Sequence, residues 1–244
     1  MRALAFTQRN RKEILRDPIT LILGIGLPIL IMWLFSAIQK NMPQMPSDLF
    51  RIENLIPGVI VFSFTFITLF SGLLLGKDKS SSFLMRIFAS PMTAKDYIVG
   101  YSLPLLSVAI LQTAMCYLAA FLLGLPFSMN ILASIIVLVW IAFLYIGFGV
   151  LLGTYLTDKQ VNGVSAIFVN LSALLSGTWF ELDMVGDTFK TIAYLLPFAH
   201  AVDATRAALA GEYGDIIVPL LWVISYTIVI FVIAILGFKK LMKN

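Results

Sequence analysis

Charged side chains are scarce in this sequence. Of its 244 residues only 12% are charged, whereas 60% are hydrophobic, and the mean hydropathy is +0.96. An ordinary soluble domain carries about a quarter charged residues, so this deficit argues against a water-soluble fold. The sequence also has a single cysteine, Cys116, which excludes an intrachain disulfide.

Catalytic and metal-binding patterns are scarce as well. The chain has one histidine, no H-E-x-x-H motif and no G-x-S-x-G motif. The stretch from Gly72 to Asp78 resembles a phosphate-binding loop, but its glycine spacing is one residue short and Asp78 replaces the required hydroxyl residue. We therefore expect no catalytic site, metal or cofactor in this chain. Gly72 and Gly76, like Gly149 and Gly153, are interpreted as helix-packing positions.

Long uncharged runs are abundant. A bilayer core about 30 Å thick needs roughly 20 apolar residues per spanning helix, and five charge-free runs reach that length. The run 97–157 has room for two helices, because Gly124 and Pro126 break it near its middle. The sequence therefore predicts an all-α integral membrane protein, a single domain over 1–244, with six transmembrane helices at about 19–38, 55–76, 98–123, 131–153, 161–179 and 216–238.

Basic residues predict the orientation of these spans, because Lys and Arg near span ends are retained in the cytoplasm. With the N-terminus inside, all of the 17 basic residues except Lys40, Arg51, Lys190 and Arg206 lie on the cytoplasmic side. The pI of about 9.2 then reflects topology, and no nucleic-acid partner is expected. The predicted location is a bacterial cytoplasmic membrane, with both termini in the cytoplasm.

Two cytoplasmic segments have amphipathic patterns. Residues 1–17 predict a helix on the membrane surface, although a positive flank that only sets topology is the alternative. Residues at about 80–90 predict a short helix between spans two and three that either docks into a soluble partner or lies on lipid. Its candidate docking residues are Phe83, Leu84, Arg86, Ile87 and Phe88.

The segment between spans five and six is too apolar for a simple loop. Residues at about 187–211 predict two short helices, separated at Pro197, that re-enter the membrane from the outer side. His200, Asp203 and Arg206 lie on neighbouring turns of one face, so we expect Asp203 to pair with Arg206 and to accept a hydrogen bond from His200. A structural role is favoured over a catalytic one.

Uncharged polar side chains form stripes on spans two and five. These stripes either line a mildly polar pathway beside several phenylalanines or pack helices together, and both alternatives stay open. The predicted spans hold no charged residue, which argues against a proton relay but leaves sodium sites built from carbonyl and hydroxyl oxygens open. The stripe residues are Thr65, Thr68, Asn162, Ser165, Val169, Ser172 and Ser176.

The order of these parts resembles the ABC type-2 exporter permeases, six-span subunits that dimerise on two ATPase subunits. The resemblance rests on the basic surface helix, on the segment from Lys77 to Pro91 with its Ala89-Ser90-Pro91 ending, and on Leu195–Arg206 before the last span. It implies a coupling helix at about 80–90 that docks into the ATPase, a pathway between two permease copies, and an outer lid that includes His200, Asp203 and Arg206. Lys77-Asp78-Lys79 departs from the acidic-rich opening usual in that family.

The function that this resemblance implies is export. The chain would be the permease of an ATP-driven exporter that moves an amphipathic or hydrophobic compound, such as a drug, an antimicrobial peptide or a lipid-linked molecule, by alternating access. ATP and magnesium would bind to the partner ATPase. Sodium or polysaccharide efflux within the same family, and a membrane sensor or anchor for an ATPase, are the alternatives.

Overall fold

The computed structural model describes residues 2–41, 50–81 and 93–241. Over these residues the chain is all-helical, as predicted, with no strand. A one-turn 3₁₀ helix lies at Leu182–Met184, and the α-helices are α1 (Arg2–Leu15), α2 (Pro18–Asn41), α3 (Ile52–Ser80), α4 (Ala94–Leu122), α5 (Asn130–Tyr155), α6 (Asp158–Leu175), α7 (Asp187–Leu195), α8 (Pro197–Ala210) and α9 (Tyr213–Leu241).

Within the described ranges, five helices are long and apolar enough to cross a membrane, namely α2 from Leu21 onward, α3, α4, α5 and α9. They correspond to predicted spans one to four and six. The fifth predicted span corresponds to α6, which is not among the five. It has 18 residues and begins with the charged pair Asp158 and Lys159, which lowers its hydropathy.

Helix α3 lies at the centre of the molecule and packs against α2, α4, α5, α6 and α8. Its closest approach is to α5, where a Cβ atom on Gly149 would lie 2.5 Å from the backbone oxygen of Thr68 and one on Gly153 would lie 2.9 Å from that of Gly72. Only glycine lets the two backbones come so near. The predicted packing role of these glycines is therefore confirmed.

The break between α7 and α8 occurs at Leu196, one residue before the predicted point. Leu196 is extended, with φ −101° and ψ 158°, because a residue that precedes proline is pushed out of the helical region. Pro197 is then the first residue of α8, where its missing N–H costs nothing. Gly211 ends α8 in the left-handed conformation, with φ 85°.

The predicted coupling helix falls largely outside the described residues. Helix α3 continues through Ser80, where the coupling helix was predicted to begin, and Ser81 is extended. The docking residues Phe83, Leu84, Arg86, Ile87 and Phe88 lie in 82–92, outside the described ranges. The helices on either side of this segment, α3 and α4, are both described.

Candidate functional site

A buried ionic cluster joins α1 to the end of α3. The carboxylate of Asp78 is 4% exposed and accepts hydrogen bonds from the two terminal guanidinium nitrogens of Arg9, Nη1 and Nη2, at 2.5 and 2.8 Å. Tyr101 Oη donates a third hydrogen bond to it at 2.5 Å. Burial lowers the pKa of Arg9, but the hydrogen bonds and negative charge of Asp78 outweigh burial and hold that pKa above its ordinary value.

The same helix α1 is fastened to the start of α4. Asn10 is fully buried and its Nδ2 donates to the backbone oxygen of Gly100 at 3.0 Å. The ring of Phe6 stacks on Tyr97 and meets Tyr101 edge-on, with centroids 5.6 and 5.0 Å away. A Cβ atom on residue 100 would overlap the Phe6 ring, so Gly100 permits this close contact.

We name Phe6, Arg9, Asn10, Asp78 and Tyr101 the α1 clamp. The clamp contacts α3 at Asp78, which lies four residues before the undescribed segment 82–92. It contacts α4 at Tyr101, which lies nine residues after that segment. It therefore fixes the two helices from which the predicted coupling segment emerges.

Lys79 adds a link from α3 to the end of α5. Its Nζ donates to the backbone oxygens of Thr154 and Leu156 at 3.0 and 2.7 Å. These are carbonyls at a helix C-terminus, where a cation is favoured.

The three predicted lid residues lie together at the opposite end of the bundle, but with other partners than expected. Asp203 accepts a hydrogen bond from Tyr194 Oη at 2.9 Å, and burial raises its pKa. Arg206 instead donates to the backbone oxygens of Asn54 and Gly177, at 3.2 and 3.0 Å. It thereby ties α8 to the start of α3 and to the turn after α6.

The contacts of His200 are those of a residue that holds helices together. Its Nε2 lies 2.9 Å from the backbone oxygen of Tyr194, so this nitrogen carries the proton. Its ring stacks nearly parallel on Trp222 of α9, with centroids 5.2 Å apart. These contacts join α7, α8 and α9.

The hydroxyl groups of the predicted polar stripes are buried between helices of one copy. Thr68 donates to the backbone oxygen of Tyr145 at 2.7 Å, and Ser172 shares a hydrogen bond with Tyr145 Oη at 3.0 Å. Of the stripe residues only Asn162 is exposed and Val169 half-buried; Thr65, Thr68, Ser165, Ser172 and Ser176 are buried.

The other side of α6 is exposed and partly polar. Asn162, Ala166 and Asn170 follow one another at intervals of four residues on that side, with Gly163 and Leu174 beside them. The side-chain amide of Asn170 donates one hydrogen bond, from Nδ2 to the backbone oxygen of Ala166 at 2.8 Å. Amide groups on a helix that faces hydrocarbon are costly, so this face needs a polar or protein neighbour.

A row of aromatic rings follows one side of α3. Phe62, Phe66 and Phe70 are spaced by four residues, with centroids 5.9 and 6.5 Å apart. Trp179 meets Phe62 edge-on at 5.3 Å and stacks on Phe35 at 5.6 Å. Phe62, Phe66 and Trp179 are only half-buried, so the row forms a partly accessible apolar strip along the bundle.

Sequence reasoning missed the α1 clamp. The available signal is Asp78, a lone carboxylate two residues after an uncharged run of 23 residues, in a chain with several arginines in its N-terminal segment. Its pairing with Arg9, 69 residues away, depends on the packing of α1 across two other helices.

Comparison with known proteins gives one family. The family model for the ABC-2 type transporter matches residues 2–210. A protein named "Putative transport permease ycf38" from Cyanophora paradoxa is 31% identical over 212 residues, which is 80% of this chain and 69% of the relative. Its namesake from Porphyra purpurea is 28% identical over 83% of this chain and 72% of the relative. "Probable multidrug ABC transporter permease YbhS" of Escherichia coli is 24% identical over 67% of this chain and 45% of its own length.

Proposed function

This chain belongs to the ABC-2 type transporter family, and we propose that it is the membrane-spanning permease of an ATP-driven exporter of amphipathic or hydrophobic compounds. An integral membrane protein of this family requires an ABC ATPase as its partner. The observation that carries the export proposal is the half-exposed aromatic strip of Phe62, Phe66 and Trp179, set in a bundle whose long helices carry their charged residues only near their ends.

In this proposal α6 also crosses the membrane, as the fifth of six spans in chain order. Its 18 residues reach about 27 Å at 1.5 Å per residue, close to the hydrocarbon thickness of about 30 Å. With six spans both termini lie in the cytoplasm of a bacterial cell. Helix α1 then lies on the inner membrane surface, and α7 and α8 dip into the membrane from outside.

The exposed amide face of α6 supports a dimer. We place a second copy against Asn162, Ala166 and Asn170, because small and amide side chains allow close approach and interhelical hydrogen bonds. The dimer would sit on two ATPase subunits. Its central pathway would run beside this face and the aromatic strip, while the buried stripe hydroxyls hold each copy together.

Coupling would pass through the segment 82–92. Phe83, Leu84, Ile87 and Phe88 would enter a groove of the ATPase, with Arg86 in an ion pair at the rim. The α1 clamp would transmit the resulting movement to α3 and α4 as one body. At the outer end, Asp203, His200 and Arg206 would anchor the lid formed by α7 and α8. ATP binding and hydrolysis would favour different arrangements of the dimer.

The test of coupling is co-purification with the ATPase encoded beside this chain. Phe83→Asp and Phe88→Asp should each abolish recovery of the ATPase, because a carboxylate in an apolar groove is strongly disfavoured. Phe127→Asp is the matched control, since Phe127 is 84% exposed in the opposite loop. Equal recovery with all three variants would place the docking surface elsewhere.

The test of export is ATP-dependent uptake of fluorescent amphipathic compounds into inverted vesicles that contain the permease and its ATPase. Uptake that requires ATP and falls with Phe66→Ala supports the proposal. ATPase binding without uptake of any compound in a broad panel would contradict export and favour a membrane anchor for the ATPase.

A further inference from the structure

Four aromatic rings meet where α5, α6 and α8 approach one another. The ring of Phe168 on α6 adjoins Tyr145 and Phe148 of α5 and Phe198 of α8, with centroids 6.1, 4.8 and 5.5 Å away. One turn further along α6, Ser172 shares a hydrogen bond with the Tyr145 hydroxyl at 3.0 Å, and both residues are buried. We name Tyr145, Phe168 and Ser172 the α6 latch.

The latch contains the polar contact that α6 makes with another helix. Helix α6 packs mainly against α3 and touches α5 and α8 at few places. Over the residues that the structure describes, no hydrogen bond or ion pair joins α6 to α3, and Ser172 is the one α6 side chain bonded to another helix. Inside a bilayer the hydrophobic effect contributes little to helix association, so van der Waals packing and interhelical hydrogen bonds determine it.

The surface of α3 that faces α6 presents few obstacles to movement. A Cβ atom on Gly72 would lie 2.8 Å from the Val161 side chain, and one on Gly76 would lie 3.1 Å from the Asp158 backbone. These glycines carry no side chain that interlocks with α6. Ser165, one turn after Val161, has a buried hydroxyl without a hydrogen-bond partner among the described residues, so it loses no bond when α6 shifts. Small sliding movements of packed helices are a common form of conformational change.

Both ends of α6 have non-helical backbone. Leu156 and Thr157 before it are extended, with ψ 156° and 161°, and Gly177 after it is left-handed, with φ 65°. A few residues at the ends of an element often absorb the backbone rotation of a hinge. Tyr145, in contrast, belongs to the part that stays in place, because its backbone oxygen accepts a hydrogen bond from Thr68 of α3 at 2.7 Å.

We propose that the α6 latch is a conformational switch, closed in this structure, whose opening lets α6 shift against α3 and α5. Tyr145 and Ser172 are its positioning residues. The inference rests on the proposed function and deepens it, because the exposed face with Asn162 and Asn170 moves whenever α6 moves. The latch would thereby set how that face meets a second copy. Its opening would also free two hydroxyl groups, now bonded to each other, towards the space beside α6.

The experiment is cysteine labelling of the purified full chain in detergent. Cys116 is replaced by Ala, and Ser165→Cys places a thiol on the buried side of α6 without removing a hydrogen bond. Tyr145→Phe removes only the hydroxyl of the latch and should raise the maleimide labelling rate by about fivefold, equivalent to about 1 kcal/mol. Ser172→Ala should do the same. The double variant should label no faster than either single one, because both remove the same bond.

Tyr117→Phe is the matched control. Tyr117 Oη and Ser134 Oγ share a hydrogen bond at 2.5 Å between α4 and α5, and both residues are buried. This variant loses the same chemistry at another pair of helices, so it should change the labelling of Ser165→Cys by less than about twofold. Val164→Cys, at an exposed neighbouring position, should label equally in all variants and reports the reactivity of the reagent in micelles.

A second readout separates a switch from a bond that only supports the fold. In the complex with the ATPase, a non-hydrolysable ATP analogue should change the labelling of Ser165→Cys by more than about threefold. Tyr145→Phe, with the latch already open, should reduce this response to less than about twofold. Loss of a purely structural bond would leave the response to nucleotide as it was.

Four results would overturn the proposal. Unchanged labelling in Tyr145→Phe would show that the bond does not hold α6, and an equal rise in Tyr117→Phe would show general loosening of the bundle. An additive rise in the double variant would show that Tyr145 and Ser172 act separately. A response to nucleotide that persists in Tyr145→Phe would leave the bond a structural one. Because labelling of the chain alone needs neither ATPase nor substrate, its failure would leave the proposed export standing, and a failure of export would leave the labelling result intact.

Discussion

Removing Arg9 from the α1 clamp should destabilise the protein measurably. In Arg9→Ala the carboxylate of Asp78, 4% exposed, loses two hydrogen bonds and its counter-charge and keeps only Tyr101. Loss of one partner from a fully buried pair costs about 3–5 kcal/mol. Arg9 is itself 34% exposed, so water can partly replace it, and we expect about 2–3 kcal/mol.

The assay is thermal unfolding of the purified chain in detergent. At about 2–4 °C per kcal/mol for a chain of this size, Arg9→Ala should lower the melting temperature by about 4–12 °C. Since α1 can also detach by itself, hydrogen exchange of residues 6–15 should rise in the same variant. Asp78→Asn should cost less, because the amide oxygen still accepts from Arg9 and Tyr101.

Lys77→Ala is the matched control. It breaks the other ion pair between α1 and α3, Lys77 to Glu13 at 3.2 Å, in which Lys77 is 71% exposed. Exposed pairs contribute about 0–1 kcal/mol. If Lys77→Ala and Arg9→Ala lowered the melting temperature equally, burial would not be what gives the clamp its strength, and our reasoning would be refuted.

Three further predictions concern single positions. Gly149→Ala should lower the melting temperature, because its Cβ would press on the α3 backbone, whereas Gly163→Ala, with open space around it, should be neutral or slightly stabilising; equal effects would contradict the close packing of α3 and α5. Since burial raises the pKa of Asp203 in the fold, folded Asp203 binds a proton at a higher pH than unfolded Asp203. As pH falls from 7 to 4, stability of the wild type should therefore rise relative to Asp203→Asn, and a constant difference in melting temperature would count against this. In membranes, Asn170→Cys should form an oxidative crosslink between two copies and Ser172→Cys, buried on the opposite side, should not; the reverse pattern would exclude the proposed dimer face.

The long helices could be predicted well from sequence, because each depends on a local property. A run such as 131–153 has no charge and no proline, and α5 extends beyond it by only one or two residues at each end. The glycine pairs were also readable, since spacing alone places Gly149 and Gly153 on one side of a helix. Helix α6 was harder, because Asp158 and Lys159 give it a mixed character that hydropathy alone does not resolve.

The candidate sites were less predictable, because a helical stripe does not reveal which neighbour covers it. Thr68 and Ser172 lie on polar stripes that fitted a pathway and a packing surface equally well. In the folded chain both hydroxyls form hydrogen bonds with Tyr145. Asn162 and Asn170 lie on the exposed side of α6. Likewise Asp203 and Arg206 are neighbours on one helix, yet each forms its hydrogen bonds with residues of other elements.

The sequence by itself determined that this protein belongs in a membrane, where five of its long apolar helices lie, and to which family it belongs, because hydropathy, helix length and motif order can be read along the chain. Only the tertiary structure decided that Arg9 meets Asp78 and which side of α6 is exposed. Both depend on contacts between residues far apart in the chain. Such contacts require the helices to pack closely, and glycines without a Cβ atom permit this close packing between α3 and α5 and between α1 and α4.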